Sequence, residues 1–554
     1  MTRRLPLSLL LLLVLPLPAA APTPRPSLVV VVSVDQLSAQ LLDAFGPGLT
    51  GGLGRLQKEG LWFSEAYQDH GLTETGPGHS VILSGRFPAH TGIVENRWVN
   101  RATGKPVYCV EDPKGKALHN LSLPGASNAQ FLGDALGDWL QAQVPGSRVF
   151  AVSGKDRAAI LMAGRRPTGV YWFTGAAGFT SSTPYQDRLP SWLVRLDTDL
   201  SERLTTDTWL WMKDPATPEG RTAQWTYGPM LLRNGALPRL IHGSGMPMDK
   251  GFENRFRRSP FLDAVTLEAA EALLEGEALG RGPGTDLLAV SFSATDYIGH
   301  AYGMFGTEMR DQIHRLDRAL GRLLDRVRSK NPDAWVVLTA DHGALDITEA
   351  LVEQGFPARR VEVAPFMAAL QTELRTAFKT NQDLVLPAYD PTTLYLNEAA
   401  VKAAGLDREA VLVKAQTWLR AQPDIADAFT AREMQATDPA ATGSPRDSST
   451  RVLLRRSFHA ERSGDLLVAA KPFVVFGTPP AEYPAGHGSP NAYDRRVPLI
   501  FWGPWQGGRR REPVRIVDLA PTLARELGIQ PGPVDGKALD LGARTPPKAA
   551  KPRR

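Results

Sequence analysis

The amino-acid sequence predicts an α/β protein in which helices flank a central, mostly parallel β-sheet that carries two large insertions. Short runs rich in β-branched residues are apolar throughout instead of alternating, which is typical of strands buried on both faces of a parallel sheet. These runs occupy residues 28–34, 148–153, 286–292, 334–339 and 497–502. Polar residues follow most of the runs directly, at the position where open α/β sheets bind their ligands.

Two other segments have the period of an amphipathic helix. From Thr307 to Val327 the apolar residues recur on one face, and Thr307 is the predicted N-cap because acidic residues occupy the first turn. This helix would connect the third of the predicted strands to the fourth. A second helix is predicted to begin at Asp518 and to end at Gly528.

Residues 27–542 are predicted to form one domain into which 160–285 and 346–465 are inserted, because polar strand ends lie on both sides of each insertion. The first insertion is rich in aromatic residues whose irregular spacing indicates core positions. These residues are Tyr171, Trp172, Phe173, Trp192, Trp209, Trp211 and Trp225. The second insertion contains a helical pattern at 408–419.

The two ends of the chain differ from the body. Residues 1–21 are predicted to be a secretory signal peptide, because a basic start is followed by an apolar run at 5–17 and by small residues at 19–21. An N-terminal membrane anchor is the less favoured alternative, since no run reaches the ~18 apolar residues that a spanning helix needs. The protein is therefore expected to be exported, to the periplasm or outside the cell, without stable membrane insertion. The basic tail at 543–554 is predicted to be disordered.

The composition excludes several classes of protein. Apolar residues make up 43% and charged residues 22%, as in soluble globular proteins. The single cysteine, Cys109, excludes an intramolecular disulfide. The formal charge of +5 becomes −2 without the seven basic residues of 1–21 and 543–554, so the charge gives no support for a nucleic-acid partner. No oligomeric state is predicted.

Three carboxylates and three imidazoles lie near the ends of the predicted strands and form a candidate donor set for metal ions. A single aspartate after a strand is more often structural than functional, but six donors in such places form a pattern. They are Asp35, Asp296, His300, Asp341, His342 and His487. Histidine and aspartate without cysteine suit catalytic Zn²⁺, although other divalent ions are possible.

The spacing of these donors supports a shared site. Asp296 and His300 are four residues apart, so one helical turn would place both on the same face. Asp341 and His342 are adjacent and would point in opposite directions within a strand. Both can face inward only beyond the strand end, in the loop that Gly343 opens.

Thr75 is the candidate nucleophile. It stands in the segment 71–80, GLTETGPGHS, at the head of a predicted helix. The positive end of a helix dipole favours an alkoxide and a phosphate group beside it. The alternative is that Thr75 is a simple helix cap. His79 and His90 are interpreted as structural residues that orient this loop, not as metal ligands.

Six separated motifs resemble, in order, those of the phosphate-irrepressible, PafA-type bacterial alkaline phosphatases of the alkaline phosphatase superfamily. The motifs begin at Thr75 (TGPGH), Gly92 (GIVEN), Lys155 (KDR), Asp296 (DYIGH), Ala340 (ADHG) and Gly486 (GHGS). The resemblance extends from about residue 28 to residue 542 and includes both insertions. It implies an alkaline phosphatase-like core and the hydrolysis of phosphate monoesters to an alcohol and inorganic phosphate.

The resemblance also implies a role for each motif residue, with Thr75 as the nucleophile that forms a phosphothreonine. One Zn²⁺ would be held by Asp296, His300 and His487, and a second by Asp35, Thr75, Asp341 and His342. The non-bridging phosphoryl oxygens would be bound by Asn96, Lys155 and Arg157. Thr73 is a rival nucleophile, because Leu72 replaces a proline that often precedes the first threonine of the family motif. Only Thr75 keeps the four-residue spacing to His79.

Several alternative functions remain open at this point. A phosphodiesterase or nucleotide pyrophosphatase of the same superfamily would use the same metals and the same threonine. Lys155 and Arg157 argue against it, because two cations suit the dianion of a monoester. A sulfatase would need a Cys/Ser-x-Pro-x-Arg motif for its nucleophile, and a non-enzymatic metal-binding exported protein would be expected to lack a ligand or the nucleophile. The predicted substrates are small-molecule phosphate monoesters.

Overall fold

The computed structural model describes residues 25–544 with short gaps. The residues left out are 206–209, 212–222, 228–229, 235–239, 243–248, 389, 441–442 and 478–482. The predicted signal peptide, Trp209, the tail beyond residue 544 and the side chains of Trp211 and Trp225 lie outside the described residues.

The strands and helices alternate along much of the chain. In chain order the strands are β1 (Leu28–Val34), β2 (Leu61–Tyr67), β3 (Arg97–Asn100), β4 (Lys105–Tyr108), β5 (Glu111–Ala117), β6 (Asn120–Ala126), β7 (Val149–Ser153), β8 (Gly169–Phe173), β9 (Phe179–Thr180), β10 (Leu210–Trp211), β11 (Ala223–Tyr227), β12 (Met230–Asn234), β13 (Leu240–His242), β14 (Asp286–Phe292), β15 (Trp335–Thr339), β16 (Arg359–Glu362), β17 (Thr393–Leu394), β18 (Ile425–Thr430), β19 (Leu466–Ala470), β20 (Val474–Gly477), β21 (Arg496–Trp502), β22 (Gly508–Arg510) and β23 (Val514–Arg515). The α-helices are α1 (Ala39–Phe45), α2 (Gly52–Glu59), α3 (Thr75–Ser84), α4 (Pro88–Thr91), α5 (Leu136–Gln143), α6 (Asp156–Ala163), α7 (Ser191–Thr205), α8 (Lys250–Arg257), α9 (Phe261–Gly276), α10 (Ala294–Tyr302), α11 (Thr307–Lys330), α12 (Thr348–Glu353), α13 (Val363–Phe378), α14 (Glu398–Ala403), α15 (Arg408–Arg420), α16 (Ala431–Gln435), α17 (Thr450–Ser457), α18 (Ala492–Arg495) and α19 (Leu519–Leu527).

Ten of the described strands form the central sheet, in the order β22–β2–β21–β15–β1–β14–β7–β8–β9 with β23 beside β2. Its middle, from β15 through β1, β14 and β7 to β8, is parallel. Every residue of these five strands is buried, as expected for apolar strands covered on both faces. The predicted fold class, an α/β protein with a mostly parallel sheet, is confirmed.

The last predicted strand of the sheet has the opposite direction. β21 pairs antiparallel with both β15 and β2. Its N-terminal end therefore lies at the edge where the parallel strands finish. His487 precedes β21 in the chain, whereas the other donors follow their strands. Because β21 runs in the opposite direction, His487 still reaches the same edge of the sheet.

The predicted helices form, with one difference at a boundary. α11 has Gly306 as its N-cap, and Thr307, the predicted cap, is instead the first helical residue and is buried. α19 ends at Gly528, which has a φ of 64°, a left-handed conformation that glycine adopts without steric cost. Within the described part of the chain, no helix has both the length and the apolar composition needed to cross a bilayer.

The two predicted insertions differ in how they pack. From 160–285, β8 and β9 extend the central sheet, and the buried rings of Tyr171, Trp172 and Trp192 belong to the main core. From 346–465, most of the buried apolar residues form a second, smaller core around the β17–β19–β18 sheet. The division into one domain with two insertions stays a prediction.

Candidate active site

The carboxyl edge of the parallel strands gathers the candidate donors. Asp35 directly follows β1, Asp296 lies in the first turn of α10 after β14, and Asp341 and His342 follow β15. His487 reaches the same edge from the loop before β21. The first four of these side chains are almost fully buried, with at most 3% of the residue exposed.

Gln36 connects the donors, although no sequence motif singles it out. Its backbone N–H donates to Asp341 Oδ1 at 3.1 Å, and its amide nitrogen donates to Asp296 Oδ1 at 2.9 Å. Its φ of 68° is unusual for a residue other than glycine and turns the chain sharply after β1. Such strained backbone is often found at functional sites because surrounding contacts hold it in place.

One candidate metal-binding group consists of Asp35, Asp341 and His342. One ligand atom from each lies within 4.8 Å of the others. His342 Nε2 is 3.5 Å from Asp35 Oδ1 and 3.3 Å from Asp341 Oδ2.

A second group consists of Asp296, His342 and His487, again with ligand atoms within 4.8 Å of one another. His300 Nε2 lies 3.3 Å from Asp296 Oδ1, so it stands beside this group on the same helix. The imidazole rings of His342 and His487 stack with centroids 3.7 Å apart. His342, assigned by resemblance to the first group alone, is thus placed between the two.

All three candidate histidine ligands are oriented in the same way. The Nδ1 atoms of His300, His342 and His487 lie 2.7–2.9 Å from the carbonyl oxygens of Ala485, Gly343 and Thr73, respectively. Because a carbonyl oxygen can only accept, each Nδ1 carries the proton. Each Nε2 therefore presents its lone pair to the carboxylates, as metal-bound imidazoles do when a second contact fixes their tautomer.

The donor atoms that face each other fit a cation. Asp35 Oδ1 and His342 Nε2 are buried and make no hydrogen bond, and Asp341 Oδ2 makes none of good geometry although His79 Nδ1 lies 3.1 Å from it. Leaving buried polar atoms unpaired is costly, and such atoms in a native structure indicate a partner. Oxygen and nitrogen acceptors at this spacing suit a divalent ion.

Lys155 lies between the carboxylates of the two groups. Its ammonium is 2.7 Å from Asp35 Oδ2 and also pairs with Asp296 Oδ2, and the side chain is 1% exposed. Burial opposes its charge, but Asp296 and Asp35 together raise the pKa of Lys155 above its usual value. The assignment of this ammonium to the phosphoryl oxygens, which the resemblance implies, stays a prediction.

Thr75 is the first residue of α3, and Glu74 is the N-cap. The alternative that Thr75 is a simple cap is therefore wrong. Arg157 Nη2 donates to Thr75 Oγ1 at 3.3 Å, and Arg157 Nη1 donates to the hydroxyl of Tyr108 at 3.3 Å. The Tyr108 hydroxyl in turn donates to Asp156 at 2.6 Å, which fixes the guanidinium beside Thr75.

Asn96 is fastened to the start of the same helix. Its side-chain oxygen accepts from the backbone N–H of Gly76 at 2.7 Å, and its own backbone N–H donates to Glu74. With the oxygen engaged, the NH₂ group is the part of the carboxamide that can donate to a ligand. Arg157 and Asn96 thus present donors on two sides of Thr75.

Gly78 explains a glycine of the TGPGH motif. A Cβ atom at this position would lie 2.3 Å from the carbonyl oxygen of Asp341. Only glycine allows α3 to approach the end of β15 this closely. The motif therefore brings the nucleophile candidate against a metal-ligand candidate.

Asp263, in α9, holds the start of the helix that carries Asp296 of the second group. Its Oδ1 accepts from the backbone N–H groups of Ser293 and Ala294, each at 2.9 Å, at the start of α10. It thereby satisfies two of the unpaired donors of the helix that carries Asp296. No sequence pattern singled it out, because α9 belongs to a predicted insertion.

The buried carboxylates do not titrate alike. Burial, reinforced by Asp341, raises the pKa of Asp35 well above its ordinary value. Burial acts in the same direction on Asp296, but Lys155 and His300 outweigh it and hold the pKa of Asp296 well below its ordinary value. Burial lowers the pKa of His342 to about 3, so the imidazole is neutral, the form in which histidine binds metals.

Comparisons with known proteins agree with this geometry. Residues 29–490 match the family described as type I phosphodiesterase/nucleotide pyrophosphatase. Alkaline phosphatase PhoK of Sphingomonas sp. is 35% identical, over 93% of this chain and 91% of that protein. The crystal structure of wild-type alkaline phosphatase PafA matches 94% of this chain and 100% of its own, with a TM-score of 0.82 at 25% identity. Murine ectonucleotide pyrophosphatase/phosphodiesterase 5 shares the fold, with a TM-score of 0.53 at 13% identity over 92% of this chain and 97% of its own.

Proposed function

This chain belongs to the type I phosphodiesterase/nucleotide pyrophosphatase family, as an alkaline phosphatase of the PafA type, and we propose that it hydrolyses phosphate monoesters through a phosphothreonine formed at Thr75. One observation carries this proposal. Thr75 is the first residue of α3, and its hydroxyl accepts a hydrogen bond from Arg157. It lies at the edge of the sheet where the two groups of candidate metal-binding side chains are found.

The two groups would hold two Zn²⁺ ions, one on Asp296, His300 and His487 and one on Asp35, Thr75, Asp341 and His342. Bound there, the ions would favour the alkoxide of Thr75, stabilise the departing oxygen and activate the water that completes hydrolysis. The inward-facing Nε2 atoms and the unpaired carboxylate oxygens support this assignment.

The phosphoryl group itself would be bound by the start of α3 and by neighbouring side chains. The first turn of α3 directs its N–H groups and positive dipole end toward the place where Thr75 attacks. Arg157 and the NH₂ group of Asn96 donate to the equatorial oxygens, on which phosphoryl transfer places negative charge. Lys155 pairs with the carboxylates of Asp35 and Asp296, and the resemblance implies that it also binds a phosphoryl oxygen.

A solved variant of alkaline phosphatase PafA supports these assignments. It carries substitutions at one threonine, one asparagine, one lysine and one arginine; the asparagine comes 21 positions after the threonine, and the arginine comes two positions after the lysine. Thr75 and Asn96, and Lys155 and Arg157, have the same separations in this chain.

A phosphodiesterase is the second candidate, because the matching family includes phosphodiesterases and the murine protein shares the fold. A phosphate diester carries one charge fewer than a monoester dianion. Arg157 beside Thr75 and the buried Lys155 between the carboxylates place two cations at the site, which favour the dianion.

A paired assay separates the two functions. Purified protein, supplied with Zn²⁺, is expected to hydrolyse p-nitrophenyl phosphate with a kcat/KM far above that for bis-p-nitrophenyl phosphate. Both substrates release the same chromophore, so the comparison isolates the charge of the phosphate group. A higher kcat/KM for the bis-ester would establish the phosphodiesterase instead.

Replacing Arg157 with alanine is expected to reduce this preference. Removal of one donor to the transition-state oxygens lowers monoester kcat/KM by about 10²–10³-fold, and diester kcat/KM by less because the diester carries less charge. Arg157→Lys is the matched control, since it keeps the charge but loses the planar contact with both Tyr108 and Thr75. Equal losses of kcat/KM on the monoester and on the diester would show that Arg157 does not contribute to the preference for the monoester.

The cellular setting is a further part of the proposal. We propose that the chain is exported through the signal peptide at 1–21 and acts outside the cytoplasm on small-molecule monoesters, without a nucleic-acid partner. A mature N-terminus shortly after Ala21 on the exported protein is the expected observation.

A further inference from the structure

His79 is a fully buried histidine that the proposed mechanism does not use. It lies one helical turn after Thr75 in α3. Its Nδ1 is 2.9 Å from the carbonyl oxygen of Thr75 and 3.1 Å from Asp341 Oδ2. Its Nε2 is 2.8 Å from the hydroxyl oxygen of Ser291 in β14. One imidazole thus contacts the residue of the nucleophile, a candidate metal ligand and a central strand.

These neighbours determine which ring nitrogen carries the proton. The carbonyl oxygen of Thr75 and the carboxylate of Asp341 can only accept hydrogen bonds, so Nδ1 is the donor. The Ser291 hydroxyl can donate or accept, so its contact with Nε2 is compatible with a proton on Nδ1. The contacts with Thr75 and Asp341 therefore require a proton on Nδ1.

We propose that His79 is a positioning residue that holds Thr75 and Asp341 in a fixed relation, and that Ser291 holds the imidazole ring in place through Nε2. This inference rests on the proposed roles of Thr75 as nucleophile and Asp341 as metal ligand. α3 and the end of β15 touch at Gly78, which has no side chain to orient the contact. The imidazole, one residue further along, supplies that orientation.

Asp341 is hydrogen-bonded at one carboxylate oxygen and lies in contact with His79 at the other. Oδ1 accepts from the backbone N–H groups of Gln36 at 3.1 Å and His342 at 3.0 Å. The Nδ1 of His79 stands beside Oδ2 on the opposite side. Without that N–H, Oδ2 can rotate away from the candidate metal position, and the start of α3 loses a contact at Thr75. Both metal affinity and kcat are then expected to fall.

Two substitutions at His79 distinguish positioning from simple packing. Asparagine places its amide nitrogen near the position of Nδ1, whereas glutamine places its amide near that of Nε2. His79→Asn is expected to keep kcat and zinc affinity within about threefold of the wild type. His79→Gln is expected to lower both by about 10–100-fold, the usual cost of removing a group that orients a metal ligand. KM for p-nitrophenyl phosphate is expected to change little.

The measurements are kcat and KM, zinc affinity by competition with a chelator, and the Tm of the metal-free protein as a check on folding. His90, in α4, provides the matched control, because its Nδ1 also contacts a carboxylate, that of Asp535, at 2.8 Å. His90→Asn and His90→Gln are expected to have equal kcat and equal zinc affinity. Ser291→Ala removes one hydroxyl and is expected to lower kcat and zinc affinity about tenfold.

Equal losses in His79→Asn and His79→Gln would overturn the proposal, and so would Ser291→Ala with unchanged kcat and zinc affinity. Should both His79 variants fail to fold, Ser291→Ala alone decides. Absence of phosphomonoesterase activity in the wild-type protein would refute the proposed function instead. The zinc competition would still show whether His79 positions Asp341.

Discussion

Replacing Thr75 with alanine is expected to lower kcat for p-nitrophenyl phosphate by at least about 10⁴-fold, as loss of a covalent nucleophile does in other enzymes. The variant keeps Asn96, Arg157 and both metal-binding groups, so substrate binding is expected to persist. The measurement is steady-state kinetics at saturating substrate and zinc. The loss should therefore lie in kcat and not in KM.

Two neighbouring variants make this result specific. Thr75→Ser keeps the hydroxyl and is expected to retain kcat within about tenfold. Thr73→Ala tests the rival nucleophile, whose hydroxyl donates to the carbonyl oxygen of Ser489 at 2.9 Å and therefore has a structural partner. It is expected to stay within about tenfold of the wild type. Full activity in Thr75→Ala together with inactivity in Thr73→Ala would assign the nucleophile to Thr73.

Removing divalent metal is expected to abolish turnover and to lower the Tm of the protein. Asp35, Asp296 and Asp341 lie close together in a buried site, and among the described contacts Lys155 is the cation that pairs with two of them. A ligand that binds only the folded state stabilises it, so chelation lowers stability as well as activity. Dialysis against a chelator, followed by activity and thermal-unfolding measurements, tests both effects.

Re-addition of Zn²⁺ to the chelated protein is the control, and it is expected to restore both the activity and the Tm. Other divalent ions, added one at a time, then establish which metal supports turnover, because histidine and aspartate donors do not select strongly between them. Undiminished turnover by protein that elemental analysis shows to be metal-free would contradict the metal-dependent mechanism.

The sequence could predict where the donors would meet because their strands are apolar throughout. β1, β14 and β15 are such strands, and the carboxyl ends of parallel strands reach one edge of the sheet. Asp35, Asp296 and Asp341 follow these strands, so their convergence follows from the strand pattern and a parallel arrangement.

Strand direction and the sharing of donors could not be predicted in this way. An apolar strand has the same pattern in both directions, so the antiparallel pairing of β21 had no sequence signal. The position of His342 between two groups and that of Lys155 between two carboxylates depend on side-chain rotation after the backbone is in place.

The supporting residues are the least visible in the sequence. Gln36, Asp263 and Ser291 are common residue types whose partners lie far away in the chain. Only the fold shows that Gln36 bridges two aspartates, that Asp263 caps α10 and that Ser291 contacts Nε2 of His79. A glutamine directly after a strand-end aspartate is a weak signal that could at most have drawn attention to Gln36.

The central claim is that Thr75 carries the phosphoryl group during turnover. The most direct test is to quench the enzyme with acid while it hydrolyses a phosphate monoester, to digest it, and to locate phosphate by peptide mass spectrometry. We expect phosphate on Thr75 in the wild-type protein and none in Thr75→Ala. Phosphate on Thr73 would contradict the assignment. The quench is carried out during full turnover, under conditions in which hydrolysis of the intermediate limits the rate. If the wild-type enzyme then shows no phosphopeptide, the covalent mechanism itself is contradicted.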